Sequence, residues 1–307
     1  MTPRPTPHHW GLLLLLSVIW GGSFLFMAVA APHLPATTVV LARVVVAAPI
    51  LWLAAAATGT AAAPTRGRVA AWAVMGLLNN ALPFTLIVVA QHFITSGLSA
   101  VVQAATPLAT ALLAHALTQD ERLTRAKLAG VVTGVVGVAV LSGAGFGATR
   151  AELTGIGLML AVCVLYGLAN IHGRRFRRLG VAPYAAAAGQ TTAAALVLLP
   201  FVLVVDRPWT LPAPPATVWL ALAALGLLCT ALAYALYFRV LAEAGATNAA
   251  LVTLLVPVSA TILGAVVLGE TLLPRHGYGM VLVALALVLM DGRLPALAAR
   301  QLGWRDG

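Results

Sequence analysis

Ser99-Ala-Val-Val-Gln-Ala-Ala-Thr-Pro107 opens a stretch that continues through an apolar segment to Asp120-Glu121 and ends at Gly130. The chain then repeats it as Ala249-Ala-Leu-Val-Thr-Leu-Leu-Val-Pro257, a second apolar segment, Gly269-Glu270 and Gly279. Ala100 and Pro107 match Ala250 and Pro257 at the same spacing of seven, and Glu121–Gly130 and Glu270–Gly279 share a spacing of nine. One residue of slippage between proline and glutamate is the only difference in register. Two copies of such a phrase in one chain mark an internal duplication.

Composition decides what the duplicated unit is made of. Of 307 residues, 61% are hydrophobic and 8% charged, and the mean hydropathy is +0.99. A soluble domain carries about a quarter charged residues, so this chain cannot cover itself with a water-facing surface. Its apolar stretches are each near the roughly 20 residues that cross a bilayer. Backbone groups in lipid must be satisfied within the segment, which makes the spans helices. The reading is an all-α membrane protein of ten transmembrane helices, at about 11–29, 36–57, 69–90, 96–118, 126–144, 153–173, 181–204, 215–240, 246–268 and 275–291. The first is a retained span, because no small-residue cleavage signal follows it.

The net charge of +10 would suggest nucleic acid in a soluble protein, but here the arginines fall in short loops between spans. With the N-terminus inside, fourteen Lys and Arg residues face the cytoplasm and three, Arg150, Arg207 and Arg275, face the other side. That bias places both termini in the cytoplasm and the chain in the cell (inner or plasma) membrane as a multi-pass protein. No nucleic-acid partner is expected; the partners are the lipid bilayer and a small-molecule substrate. Cys163 and Cys229 lie in apolar spans and match no metal or redox spacing, so neither a metal nor another cofactor is expected.

The repeat extends beyond the opening stretch. Gly76-Leu-Leu and Ala81-Leu82 align without a gap with Gly226-Leu-Leu and Ala231-Leu232; Trp20-Gly21 corresponds to Tyr166-Gly167, and Pro35 to Pro183. Each half, 1–148 and 149–307, therefore holds five spans, and an odd number turns the second half upside down. Two inverted five-helix repeats around a midplane site are a transporter architecture.

These residues are similar to those of the drug/metabolite transporter superfamily, and in particular its ten-helix EamA-type transporters. The marks are Trp20-Gly21-Gly22-Ser23-Phe24, Arg43, Asn79-Asn80-Ala81-Leu82-Pro83-Phe84, Ser96 to Pro107 with Asp120-Glu121, Thr230 to Tyr237, and Ala246 through Pro257 to Glu270. The resemblance implies a central cavity lined by helices 1, 3, 4, 6, 8 and 9, and movement of small metabolites, often amino acids, by alternating access. It names no substrate. The halves differ at Arg43, whose counterpart region is Gln190-Thr191.

Twelve residues are candidates for the transport path: Trp20, Asn79, Asn80, Phe84, Gln103, Pro107, Tyr166, Asn170, Tyr234, Thr253 and Pro257 for a substrate cavity, and Arg43 for gating or anion contact. Pro107 and Pro257 each free a carbonyl four residues earlier, on Gln103 and Thr253. Such a carbonyl faces either a water-filled cavity or a hydroxyl that heals the kink. Arg43, as an ionisable group inside a span, is a functional candidate; the alternative is a side chain that snorkels outward. Asn79 and Asn80 are adjacent and cannot face the same way, so one faces the cavity and the other a neighbouring helix. Trp20 and Tyr166 occupy equivalent places in the two halves and bring aromatic faces with polar handles. Glu121 and Glu270 end spans and read as caps of the helices that follow. Gly130, Gly134 and Gly137 read as a small-residue face for helix packing, within the chain or in a homodimer.

All eight acidic residues lie in loops or at span ends, so the intramembrane carboxylate relay of many proton-driven carriers is missing. This favours facilitative or exchange transport; the resemblance implies an amino acid or related metabolite as the substrate, and efflux is the expected direction. A proton-coupled exporter using His92 or His115, and a flippase for a lipid-linked or amphipathic substrate, are the alternatives. An enzyme is not expected: no His-Glu-x-x-His pattern occurs, and Gly97-Leu98-Ser99 has no histidine placed to be its base.

Overall fold

Runs of Leu, Val and Ala interrupted by Pro, Gly and short polar loops fold as helices that pack all round. In the computed structural model, residues 6–118, 125–142, 149–249, 251–271 and 273–291 are described. Among them are ten helical segments: α1 (Pro7–Ala30), α2 (Ala36–Ala57), α3 (Arg66–Ala90), α4 (Ser96–Leu117), α5 (Arg125–Ser142), α6 (Arg150–Arg178), α7 (Pro183–Phe201, continued by a π turn at Val202–Asp206), α8 (Ala216–Ala244), α9 (Ala246–Ala249 and Val252–Leu268) and α10 (Pro274–Asp291). Seven are long and apolar enough to cross a bilayer, and Leu128–Val140 and Leu255–Leu268 are shorter apolar helices.

Two helices outrun the apolar stretches that announce them. α6 continues to Arg178 and carries Arg175, Arg177 and Arg178 in its last turn. The sequence reads that stretch as a breaker because it is polar, yet cations at a helix C-terminus are favourable to the dipole. α8 continues to Ala244 and stops at Gly245, whose φ of 82° ends the helix.

The ends of the helices show how the two halves are related. A depression at one end of the bundle is lined by Ala28 near the end of α1, Gln91 after α3, Ser96 at the start of α4, Glu152 at the start of α6, Glu270 after α9 and His276 at the start of α10. α1 thus ends where α6 begins. At the opposite end the start of α1 meets the end of α8 through His9 and Glu243, and Arg68 at the start of α3 donates to the carbonyl of Leu179 after α6. Opposed directions of equivalent helices are what an inverted repeat requires.

Packing between the halves is reciprocal. α1 lies on α9 and α8, while their counterparts α6, α4 and α3 meet in the same combinations; α2 packs on α8 as α7 packs on α3. Glycines set these approaches. A Cβ on Gly76 would come within 2.8 Å of the Gln190 carbonyl on α7, and one on Gly226 within 2.5 Å of Val46 and 3.1 Å of the Arg43 carbonyl on α2. Gly21 and Gly167 play the equivalent parts, against Ser259–Ala260 on α9 and Thr110 on α4.

Gly130, Gly134 and Gly137 are buried within the chain. Gly137 faces Leu282 and Val283 of α10, and Gly134 faces Leu108 of α4. At Gly134 and Gly137 the small-residue face packs within the chain, against α4 and α10.

Gly226→Val should destabilise the purified protein by about 1–3 kcal/mol, the usual cost of forcing atoms into a packed contact. Gly11→Ala, where a Cβ meets nothing within 4 Å, should leave thermal unfolding in detergent unchanged or slightly raised.

Candidate functional site

The middle of the bundle is polar at one level, and two π turns build that level. α3 widens at Leu77–Ala81 and α8 at Leu227–Leu232, positions that the duplication makes equivalent. Their causes differ. Pro83 has no N–H to give to the carbonyl four residues back, and the N–H of Leu82 instead reaches the Leu77 carbonyl. In α8 the hydroxyl of Thr230 donates to the Leu225 carbonyl at 2.8 Å, five residues back, which inserts a side chain into the ladder. Turns of this kind are rare and recur at functional sites.

Arg43 reaches into this level from α2 and is 4% exposed. Its Nε donates to Thr230 Oγ1 at 2.8 Å, one terminal nitrogen to Ser23 Oγ at 2.9 Å, and the other to the Cys229 carbonyl at 3.4 Å. Met27 Sδ lies 3.8 Å from the first terminal nitrogen. The guanidinium also lies over the Phe84 ring, 3.8 Å from its centroid, where the ring quadrupole attracts a cation. Every one of these partners is neutral. Among the described residues no carboxylate reaches Arg43, and the side chain does not snorkel to an end of the bundle.

Beside it, Asn79 Nδ2 donates to Gln190 Oε1 at 3.2 Å and to the Tyr234 hydroxyl at 3.3 Å, and Gln190 Nε2 donates to the same hydroxyl at 2.9 Å. Asn80 is fully buried, and neither its Oδ1 nor its Nδ2 has a hydrogen-bond partner. The Trp20 ring packs 5.5 Å from that of Tyr237, and Trp20, Tyr166 and Tyr237 all lie against one buried apolar cluster.

The other candidates lie apart from this group. α4 is interrupted at 104–105, with Pro107 in the first turn of its second part. The freed Gln103 carbonyl accepts the Thr106 hydroxyl at 2.7 Å, so the kink is healed by a neighbouring hydroxyl and does not offer a carbonyl to a cavity. The Gln103 side-chain oxygen is buried without a partner. In α9 the break falls between Ala249 and Val252, and Pro257 sits inside the longer part. Pro257 lines an apolar crevice of about 130 Å³ with Val101, Ala104, Met280 and Val283, and Thr253 is exposed. Asn170 is exposed and donates to Thr110 on α4 at 3.2 Å.

Sequence reasoning passed over Ser23, Met27 and the Cys229 carbonyl. Ser23 belongs to the Trp20–Phe24 motif, and its small hydroxyl within an apolar helix was the available signal. Cys229 is equivalent to Asn79 under the 150-residue offset of Pro107 and Pro257.

The depression at the α1 C-terminal end has a volume of about 420 Å³. Ala28 lines it, and the adjacent Met27 touches Arg43. Gln91 Nε2 ties α3 to α1 there by donating to the Phe24 carbonyl at 3.0 Å. The acids around the depression have structural partners. Glu270 accepts the N–H groups of Ser96 at 2.7 Å and Gly97 at 3.0 Å. It caps α4 in the other half and not the helix that follows it, because two free amides of α4 point at it. The matching reading of Glu121 lies outside the described residues. Glu152 pairs with Arg275 at 2.5 Å and lies 3.5 Å from His276.

A model of the EamA-like transporter family matches residues 9–143 and 153–290. The chain belongs to that family. Over 289 residues it is 28% identical to a probable amino-acid metabolite efflux pump of Salmonella typhimurium (strain LT2), covering 91% of this chain and 93% of the relative. A protein of known crystal structure shares the fold at a TM-score of 0.63 and 20% identity, covering 92% of this chain and 96% of that one. This EamA family member is thus a multi-pass membrane transporter and not an enzyme.

Glu270→Ala should destabilise the protein by about 1–2 kcal/mol, the range for loss of a side chain that caps a helix N-terminus. Thermal unfolding in detergent measures it, and Glu270→Gln, which keeps one acceptor but no charge, should fall between.

Proposed function

We propose that the protein exports a small carboxylate-bearing metabolite, an amino acid or a related compound, by alternating access. The observation that carries this reading is Arg43. A guanidinium is a permanent cation, and an ionisable side chain inside a membrane protein is costly unless it is paired. Here hydroxyls, a carbonyl, a thioether and a π face orient it, but none neutralises it. A substrate carboxylate is the missing counter-ion, and an arginine fork binds that group with the geometry it offers. The efflux function named for the relative supports the substrate class and the direction.

The polar level lies between the depression on one side and the α1–α8 contact on the other. Arg43 is held by α1, α2 and α8, with Phe84 of α3 beneath it, so rocking of the interleaved halves changes which end reaches it. By the distribution of Lys and Arg, the depression faces outward and both termini lie in the cytoplasm of a plasma or inner membrane.

Transport is facilitative or by exchange. The carboxylates best placed to carry protons, Glu152 and Glu270, are held by Arg275 and by two backbone amides.

In proteoliposomes, labelled amino acid should exchange faster when the same compound is present on the opposite side, and at equal rates with and without a pH gradient. Arg43→Met should lower the rate by on the order of 100-fold, corresponding to about 3 kcal/mol of charge-assisted hydrogen bonding. Transport that requires a proton gradient, and loses that requirement in a His92→Ala, His115→Ala double variant, would replace exchange with proton coupling. Undiminished transport by Arg43→Met would remove the carboxylate assignment.

A further inference from the structure

The two π turns are equivalent in the repeat, yet their polar side chains are treated in opposite ways. In α8, Thr230 donates to the Leu225 carbonyl and accepts from Arg43 Nε, so both of its functions are used. In α3 the residue at the same place is Asn80. It is 0% exposed, and both its amide oxygen and its amide nitrogen lack a partner. Buried polar groups are paired in the great majority of cases, and an orphaned donor or acceptor lowers stability. A sequence free to place Thr or an apolar residue here carries instead an amide whose NH2 group and carbonyl oxygen are both idle.

Its surroundings say what the amide is for. Phe84 follows Asn80 by four residues, one turn along α3, and its ring lies under the Arg43 guanidinium. Side chains at that spacing sit about 5–6 Å apart. Asn79, next in the chain, is occupied by Gln190 and Tyr234. For a small molecule whose carboxylate met Arg43, the Asn80 amide, one turn of α3 beyond Phe84, is the unpaired donor and acceptor open to a substituent beside that carboxylate.

We infer that Asn80 is the specificity-determining residue of the site, reading a hydrogen-bonding group on the carbon next to the substrate carboxylate. The ligands selected are α-amino acids, with α-hydroxy acids as the nearest analogues, over plain carboxylic acids. This rests on Arg43 being the carboxylate site. The selection is steep for a physical reason: a site that must hydrogen-bond its ligand rejects the analogue lacking the group, since its own polar atoms then stay unpaired.

The test uses the full-length protein purified in detergent, with ligand-dependent shifts in thermal unfolding. Matched pairs serve as probes: alanine and propionate, leucine and 4-methylpentanoate, phenylalanine and 3-phenylpropionate, glutamate and glutarate. In the wild type at least one amino acid should bind 10-fold or more tightly than its deamino partner. Asn80→Leu should bring that ratio to near one while the affinity for the deamino acid changes less than twofold. The same variant should unfold at an equal or higher temperature without ligand, since it removes orphaned polar atoms; a residue with a structural hydrogen-bonding role would do the reverse. Asn80→Thr, which copies Thr230, guards against a folding defect and should also lose the preference.

If acids bind but each pair binds alike in the wild type, or the preference survives in both variants, Asn80 does not select. A drop in ligand-free stability in both variants would likewise assign Asn80 to the fold. If no acid of any pair shifts the wild type, the carboxylate reading of Arg43 fails first and this inference falls with it.

Discussion

Among the described residues, no carboxylate meets Arg43, the cation at the centre of this protein. The elements that touch Arg43 come from both halves of the chain: Ser23 and Met27 on α1, Phe84 on α3, and Cys229 and Thr230 on α8. In lipid no bulk water stabilises a guanidinium, so these groups must be brought to it together or the charge is not tolerated. That requirement accounts for several features at once. Gly226 is small because α8 must come close to the backbone of Arg43 itself. The π turn in α8 presents the Cys229 carbonyl and the Thr230 hydroxyl on the side facing α2. Phe84 supplies a π face where a carboxylate would cancel the charge outright.

The duplicated half shows what the same scaffold does without the charge. Gln190 and Thr191 stand where Arg43 stands in α2, and Asn79 and Asn80 stand where Cys229 and Thr230 stand in α8. The glycine approach is kept, Gly76 against the Gln190 carbonyl. The interaction changes from a cation held by hydroxyl, carbonyl and ring to an amide network closed by Tyr234. One scaffold thus gives two faces of different chemistry to a single level of the bundle, which a symmetric dimer of identical halves could not do.

Much of the architecture is legible in the sequence because hydropathy, turn residues and the repeated phrase are local signals. Ten helices, their order and the inversion follow from them. What the sequence misplaces are consequences of packing between distant segments. Pro107 and Pro257 announce kinks, but whether the carbonyl freed on Gln103 is exposed depends on the Thr106 hydroxyl turning back to it. Glu270 announces a cap, but its partners Ser96 and Gly97 lie in the other half. Arg43 is legible as unusual from its position alone. That it lacks a carboxylate is visible only once α1, α3 and α8 have closed around it.

The same separation explains why the polar level and the helix ends are built from different residues. Charges at the ends can be strong and permanently paired, as Glu152 with Arg275, because water and helix dipoles share their stabilisation. Among the described residues the groups at the centre are neutral apart from Arg43; a second fixed charge there would either cancel the first or repel it. A permanent internal carboxylate would stabilise Arg43 and leave nothing for a substrate to supply. Differential binding is what moves a two-state protein between its conformations, and a ligand can bring that difference only where the protein has left an interaction incomplete. In this chain the charge of Arg43 on α2 and the amide of Asn80 on α3 are two such interactions, with the Phe84 ring under the one and four residues along the helix from the other.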